Sequence, residues 1–342
     1  MCLPLLGRLI SSSDFETATD ATWALSYISD GTDDKIEAVL EIAILPRLIE
    51  LLSYPQFTIQ TPSLRTLGNI VTGDDDQTQA VINAGALDAF LELLDHPRRN
   101  IRKETCWTLS NITAGTSEQI QYVIEAEIIP KLVEVMQISE YEVQKEAAWA
   151  ISNATSGVTL DQAMYLVQED VVPNMCEMLM APEPKIINVC LEAIENLLKA
   201  GVEYSLRENE VNPVVDIVNQ CQGVEKIIFL LNNETQVISQ KANRVFETFF
   251  SDENDDLDNE IAPSTNQDSN TFAFGSSNRG GGGFVFFFLL KDKMMNCFEI
   301  DFGLINYLIG NQSSNSSNNF NFSNYNNNND EDEDQDEGDQ SS

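Results

Sequence analysis

The sequence predicts an all-α solenoid of stacked helical repeats, and three observations predict it. First, four stretches repeat one pattern: TWALSYISDG (22–31), LRTLGNIVTG (64–73), CWTLSNITAG (106–115) and AWAISNATSG (148–157). Their second positions, Trp23, Arg65, Trp107 and Trp149, each lie 42 residues after the one before, and so do their closing glycines. Second, apolar residues between these stretches recur at intervals of three and four, the period of an amphipathic helix. Third, a unit shows none of the apolar–polar alternation that a strand requires. Self-similarity at this period marks helical units that cannot bury their apolar faces alone and so share one continuous core.

The unit 74–115 displays each element in order. Gln77, Val81 and Ile82 predict a short first helix ending near Gly85. Leu87, Phe90, Leu91 and Leu94 predict an amphipathic second helix, ended by His96 and Pro97. A third helix is expected over about 101–114, with Gly115 as its left-handed C-cap. Three helices in about 42 residues is the armadillo arrangement, a right-handed superhelical solenoid whose third helices line the concave face. Later units are expected over about 160–201 and 206–250. Ile227, Leu230, Leu231, Val237, Ala242, Val245, Phe246 and Phe249 are the expected core of the last. The chain divides at about residue 250, with repeats over 1–250 and an acidic, low-complexity tail, expected to be disordered, over 251–342.

The third helices carry the chemistry. Trp107 and Asn111 are four residues apart, as are Trp149 and Asn153. Glu104 and Glu146 precede each indole by three, and Ser110 and Ser152 follow by three. Such spacings share a helix face, while Leu109, Ile112 and Ile151 fill the core. Two consecutive units thus offer an acid, an indole, a hydroxyl and an amide in one stripe, and stacking turns the stripe into a ladder. An extended cationic peptide suits it. Indoles attract ammonium and guanidinium groups and pack on their methylene stems. Carboxylates meet the charged tip, and each asparagine can bond a peptide N–H and C=O. The alternative, core tryptophans with asparagines that only bridge helices, fits a single tryptophan better than a repeated array. Arg65 interrupts the tryptophans and repels a basic ligand residue, which marks one end of the stretch. Beyond Asn153, Leu191 and Glu195 stand at the next Trp and Asn positions, so the ladder is expected to stop there.

These strings resemble importin-α, the adaptor that carries nuclear localisation signals. WALSYISDG, NIVTGDD, WTLSNITAG, KEAAWAISNATSG (145–157) and the terminal-repeat segment 223–250 carry the resemblance, which covers about 1–262. It implies the C-terminal part of that solenoid, from within the fifth repeat through the tenth, in a protein shuttling between cytoplasm and nucleus through nuclear pores. The minor signal-binding site of the family lies in repeats six to eight. By the resemblance, Asn69, Asn111 and Asn153 contact the signal backbone, and Trp107 and Trp149 sandwich basic side chains. Glu104, Ser110, Glu146 and Ser152 line those pockets, and Val71, Thr72, Gly73 and Thr78 sit at the far end. The family also carries arginine at the place of Arg65. Asp20 and Trp23, with Tyr27 at the asparagine position, mark the fringe of the major stretch. The opening MCLPLLGRLISSSDF matches an internal helix, which implies an N-terminally truncated chain without the basic importin-β-binding arm. Importin-β binding is then not expected, while the C-terminal repeats are implied to contact the export receptor that recycles importin-α.

Charge agrees with a basic partner. The formal balance is −36, with a disproportionate share in the tail. An acidic field steers cations and disfavours nucleic acid. FVFFFLL (284–290) meets Lys291, Asp292 and Lys293 after seven residues, short of the roughly 20 that a membrane helix needs, so no membrane partner is expected. The stretch 284–310 matches nothing in the family and reads as translated intron, or else as a hydrophobic docking segment. Catalysis has little support. There is one histidine, His96, the six cysteines include no C-x-x-C pair, and no Gly-rich phosphate loop occurs. No cofactor or metal site is expected. Two other functions stay open. One is a different armadillo scaffold for acidic tails, which would need a basic groove. The other is a regulatory subunit that holds an enzyme.

Overall fold

The computed structural model describes residues 2–251 and the dipeptides Ser264–Thr265 and Phe272–Ala273. The chain separates into two units, Met1–Asn254 and Asp255–Ser342. The first holds all seventeen described α-helices, arranged in threes. α1 (Leu3–Leu9) and α2 (Phe15–Ser29) open the series. Next come α3 (Asp33–Leu40), α4 (Leu45–Leu52) and α5 (Phe57–Ile70), then α6 (Asp75–Asn83), α7 (Ala86–Leu93) and α8 (Arg99–Thr113). They are followed by α9 (Ser117–Glu125), α10 (Ile128–Ile138) and α11 (Tyr141–Ala154). α12 (Leu160–Gln168), α13 (Val171–Glu177) and α14 (Pro184–Glu208) come next, and α15 (Pro213–Gln220), α16 (Gly223–Leu230) and α17 (Gln236–Phe249) close the series.

Local chemistry sets the helix starts. Asp74, Thr116 and Thr159 cap α6, α9 and α12. In each, the cap oxygen accepts the N3 backbone N–H while Gln77, Gln119 or Gln162 accepts the cap N–H in return. Prolines open α1, α4, α14 and α15, where a missing N–H costs nothing. One left-handed residue turns each first helix into its second: Ala43 (φ 52°), Gly85 (83°), Glu127 (55°), Asp170 (56°) and Gln222 (59°).

Like helices stack on like. The third helices α2, α5, α8, α11, α14 and α17 each pack on the next, as do the second helices α4, α7, α10, α13 and α16. Between the layers one apolar cluster runs unbroken from Ile10 to Val245, with Leu48, Phe90, Leu109, Ile151 and Leu197 fully buried. This is the shared core that the repeat period predicts.

Three expectations are corrected. Gly115 is not left-handed, because α8 ends in right-handed geometry at Ala114. A Cβ at Gly115 would instead lie 2.0 Å from Gln119 Oε1, so the glycine makes room for the capping side chain of the next helix. No boundary falls at 201–206 either. α14 continues through it as one helix of 25 residues to Asn209 (φ 57°), and Asn212 Nδ2 donates back to Leu198 O at 3.0 Å. The last group therefore begins at α15. Finally, Val237 is 61 % exposed, since its neighbour Ile238 takes the inward position; the rest of the expected core of that group is buried or half-buried.

In the second unit, Ser264–Thr265 pairs antiparallel with Phe272–Ala273. Apart from Ser251 and these two dipeptides, the expectation of a disordered tail over 251–342 lies outside the described residues, as does that of a foreign stretch over 284–310. Among the described residues no helix is long and apolar enough to cross a membrane.

Candidate functional site

The stripe expected on the third helices comes together across α5, α8 and α11, which pack side by side. Trp107 is half-buried and Trp149 is 40 % exposed. Neither is a core residue. The Trp107 indole lies over Gly68 of α5, where a Cβ would come within 2.5 Å of Cζ3. A bare backbone at position 68 is what lets the ring lie down across the helix interface.

The two carboxylates differ. Glu104 is engaged by Arg65, whose Nη2 donates to Oε2 at 2.9 Å while Nε donates to Oε1. The guanidinium carbon stands 6.0 Å from the centroid of the Trp107 ring. Arg65 thus neutralises the acid expected to meet a ligand and covers part of the first indole. Sequence reasoning missed this pair because its members lie 39 positions apart. Glu146 has no hydrogen bond or ion pair among the described residues. Burial pushes its carboxyl up from the ordinary value, and Lys145 and Lys103 offset this only in part. It is a half-buried acid without a partner, beside the more exposed indole.

The amides are partly occupied. Asn69 Nδ2 donates to Ser26 O at 2.9 Å and Ser29 Oγ at 3.2 Å, and Asn153 Nδ2 donates to Ser110 O at 2.9 Å. Each therefore ties its unit to the preceding one and keeps its oxygen for another partner. Asn111 Nδ2 is buried without any partner. The serines do not face the stripe as expected. Ser110 Oγ donates to Trp107 O at 2.7 Å and Ser152 Oγ donates to Val189 O at 3.1 Å, and both are buried, because a short hydroxyl on a helix finds a backbone carbonyl first.

Val71, Thr72, Gly73 and Thr78 gather at the turn from α5 to α6. Thr72 is exposed, with its hydroxyl on Asn69 O at 2.7 Å, whereas Val71 and Thr78 are buried. At the other edge, Asp20 and Trp23 of α2 line a cavity of about 400 Å³ with Thr19, Phe57, Thr58 and Thr61. Tyr27, 72 % exposed, stacks on Trp23 with ring centroids 6.0 Å apart. Beyond Asn153 the stripe ends. Leu191 is fully buried, and Glu195 pairs with Lys199 at 2.7 Å and with Arg244 of α17. Burial raises the Glu195 carboxyl, but the hydrogen bonds from Lys199 and Arg244 outweigh it and hold it below the ordinary value.

A second ladder escaped the sequence reading. Gln77, Gln119 and Gln162, all buried, donate through Nε2 to the carbonyls of Asp33 (3.1 Å), Asp75 (2.8 Å) and Ser117 (2.9 Å). Its signal was a glutamine four or five residues after three of the four closing glycines, Gly73, Gly115 and Gly157; Lys35 stands at that place after Gly31. Among the described residues no group of three or more His, Cys, Asp or Glu side chains could hold a metal.

Known proteins share this architecture. Residues 2–30, 74–114 and 116–156 match the Armadillo/beta-catenin-like repeat, and 212–264 match the Atypical Arm repeat. Importin subunit alpha-2 of Arabidopsis thaliana is 54 % identical over 290 residues, covering 83 % of this chain and 54 % of the relative. Importin subunit alpha-1b of Oryza sativa subsp. japonica is 49 % identical over 288 residues, covering 83 % and 53 %. The chain belongs to the importin-α family. It spans about half the length of the curated relatives it matches. A designed armadillo repeat protein solved in complex with the peptide (KR)4 superposes with a TM-score of 0.65 at 26 % identity, over 72 % of this chain and 99 % of that one. Among the described residues, buried polar atoms without a partner also occur at Gln60, Tyr141, Asn188 and Glu225, but on the stripe the free amide of Asn111 and the unpaired carboxyl of Glu146 stand beside the half-buried Trp107 and the exposed Trp149.

Proposed function

We propose that this chain is part of a nuclear import adaptor and binds basic localisation-signal peptides along the stripe on α5, α8 and α11. Trp149 and the uncovered part of Trp107 hold the stems of Lys or Arg. Glu146 meets the charged tip. Asn69, Asn111 and Asn153 bond the peptide backbone, Thr72 and Gly73 border one end, and Asp20 and Trp23 form a separate fringe pocket. Cargo capture, movement between cytoplasm and nucleus, and contact of the C-terminal repeats with an export receptor belong to the same reading. Importin-β is not among the partners that these repeats are proposed to bind.

The observation that carries this is the unmatched chemistry of the stripe. A half-buried carboxylate without a counter-ion and a buried amide without an acceptor lie within about one turn of the two indoles. A basic side chain on an extended backbone supplies both missing partners. The (KR)4 peptide held by the designed armadillo protein supports the same ligand chemistry. The test is binding of a fluorescent Lys/Arg-rich peptide to the full chain and to a Trp107→Ala, Trp149→Ala double variant checked by circular dichroism. Binding that weakens with salt and is lost in the folded variant is the expected result. Equal binding by both proteins would remove the stripe as the site.

A further inference from the structure

We propose that the cavity between α2 and α5 is a cage for a dimethylated lysine of a protein ligand. On α2, Thr19 and Asp20 precede Trp23 by four and three residues; on α5, Phe57 and Thr58 precede Thr61 by four and three. Residues at those spacings share a helix face, and α2 packs on α5. The two faces border a cavity of about 400 Å³. Asp20 is exposed and Phe57 is 39 % exposed, so the cavity opens to solvent. Phe57, which belongs to the next unit, is the wall that the sequence did not reveal.

The lining selects a cation. Thr19 Oγ1 donates to Phe15 O at 2.9 Å and Thr61 Oγ1 donates to Phe57 O at 2.9 Å. Both hydroxyl protons are therefore spent on their own helices, and neither is left for an anion or a carbonyl. Asp20 makes no hydrogen bond or ion pair among the described residues and keeps its charge for a ligand. The two rings are braced from outside. Tyr27 stacks on Trp23 with centroids 6.0 Å apart, and the Arg98 guanidinium carbon stands 3.4 Å from the centroid of Phe57. Neither Tyr27 nor Arg98 lines the cavity.

An unmodified lysine fits this lining poorly. Its ammonium carries three donors and is strongly hydrated, while the cavity supplies one charged acceptor. Two methyl groups remove two donors, keep the charge and give the head an apolar surface that packs on ring faces. The one N–H that remains meets the Asp20 carboxylate. A third methyl would remove that bond. The stripe on α5, α8 and α11 and the cage thus read different things, one a plain basic residue and the other its methylation. The cage does not depend on what the stripe binds.

The test titrates the full chain with Ala-Gly-Lys-Gly-Ala peptides whose lysine is unmodified, dimethylated, trimethylated or replaced by a neutral isostere with carbon in place of the nitrogen. Nuclear magnetic resonance follows the indole N–H signals of the three tryptophans. The dimethyl peptide should shift the Trp23 signal and bind about tenfold tighter than the unmodified one, and the neutral isostere should not bind. Trp23→Ala and Phe57→Ala, each checked for folding by circular dichroism, should lose binding, and Trp149→Ala should leave it unchanged. In Asp20→Ala, at an exposed position, the preference for dimethyl over trimethyl should vanish. Unmodified lysine binding as tightly as dimethyllysine, no binding by any peptide, or shifts confined to Trp107 and Trp149 would overturn the proposal. Tetramethylammonium chloride binding more tightly than the dimethyl peptide would overturn it as well, because the ligand would then be a free quaternary ammonium.

Discussion

Glu146 and Gly68 show how single residues shape the stripe. Burial raises the Glu146 carboxyl in the free protein, so the folded chain holds that proton more tightly than an unfolded one. Its contribution to stability is therefore full at low pH and is lost as pH rises through the folded value. Glu146→Gln should raise the unfolding midpoint at about pH 7 and leave it unchanged at about pH 4, where the acid is largely protonated in the folded state. A basic peptide favours the charged form. Its affinity should fall as pH drops through the raised value, and Glu146→Gln should flatten that fall; a titration of binding against pH reads both. For Gly68→Ala, the added methyl meets the Trp107 ring at 2.5 Å. The expected cost is about 1–3 kcal/mol, as for other overpacked sites, together with weaker peptide binding, measured by urea unfolding and fluorescence.

At the level of elements, the first helices α6, α9 and α12 are each both started and anchored by one glutamine. Gln119 Oε1 accepts the Thr116 N–H at 3.1 Å, and its Nε2 donates to Asp75 O at 2.8 Å, in a buried position. Gln119→Ala should cost about 1–3 kcal/mol in urea unfolding, because it removes both the partner of the Thr116 N–H in the capping box and the bond to the preceding unit. Gln119→Glu should not rescue it. A glutamate serves a capping box as well as a glutamine does, but its second oxygen would face the Asp75 carbonyl. A Gln119→Glu protein as stable as the wild type would mean that the bond between units contributes nothing.

Across the whole molecule, stability is a chain of such neighbour contacts, and the last link is ionic. Glu195 of α14 holds Arg244 of α17, and its carboxyl sits below the ordinary value. A depressed carboxylate contributes stability above its unfolded value that is lost as pH falls through its folded one. Acidification below about pH 4.5 should therefore loosen the last group first. Amide exchange in α17 is expected to accelerate relative to α8, and Glu195→Gln should show the faster α17 exchange already at neutral pH. Uniform acceleration along the solenoid would contradict this.

The 42-residue period, the apolar rows at three and four, and the capping residues determined the repeats, the three helices of a unit and the indole–amide stripe. All of these depend on residues near in sequence, whose spacing alone fixes which share a helix face. The resemblance named the family from the same strings. The tertiary structure decided what reaches across units. Arg65 engages Glu104, Asn69 and Asn153 tie their units to the ones before, and Gln119 reaches a carbonyl 44 positions away. It also decided that Glu146, and not Glu104, is left without a counter-ion. One helix's pattern tells which side chains point outward. It does not tell which of them the neighbouring repeat has already matched, because that depends on where stacking places the next helix.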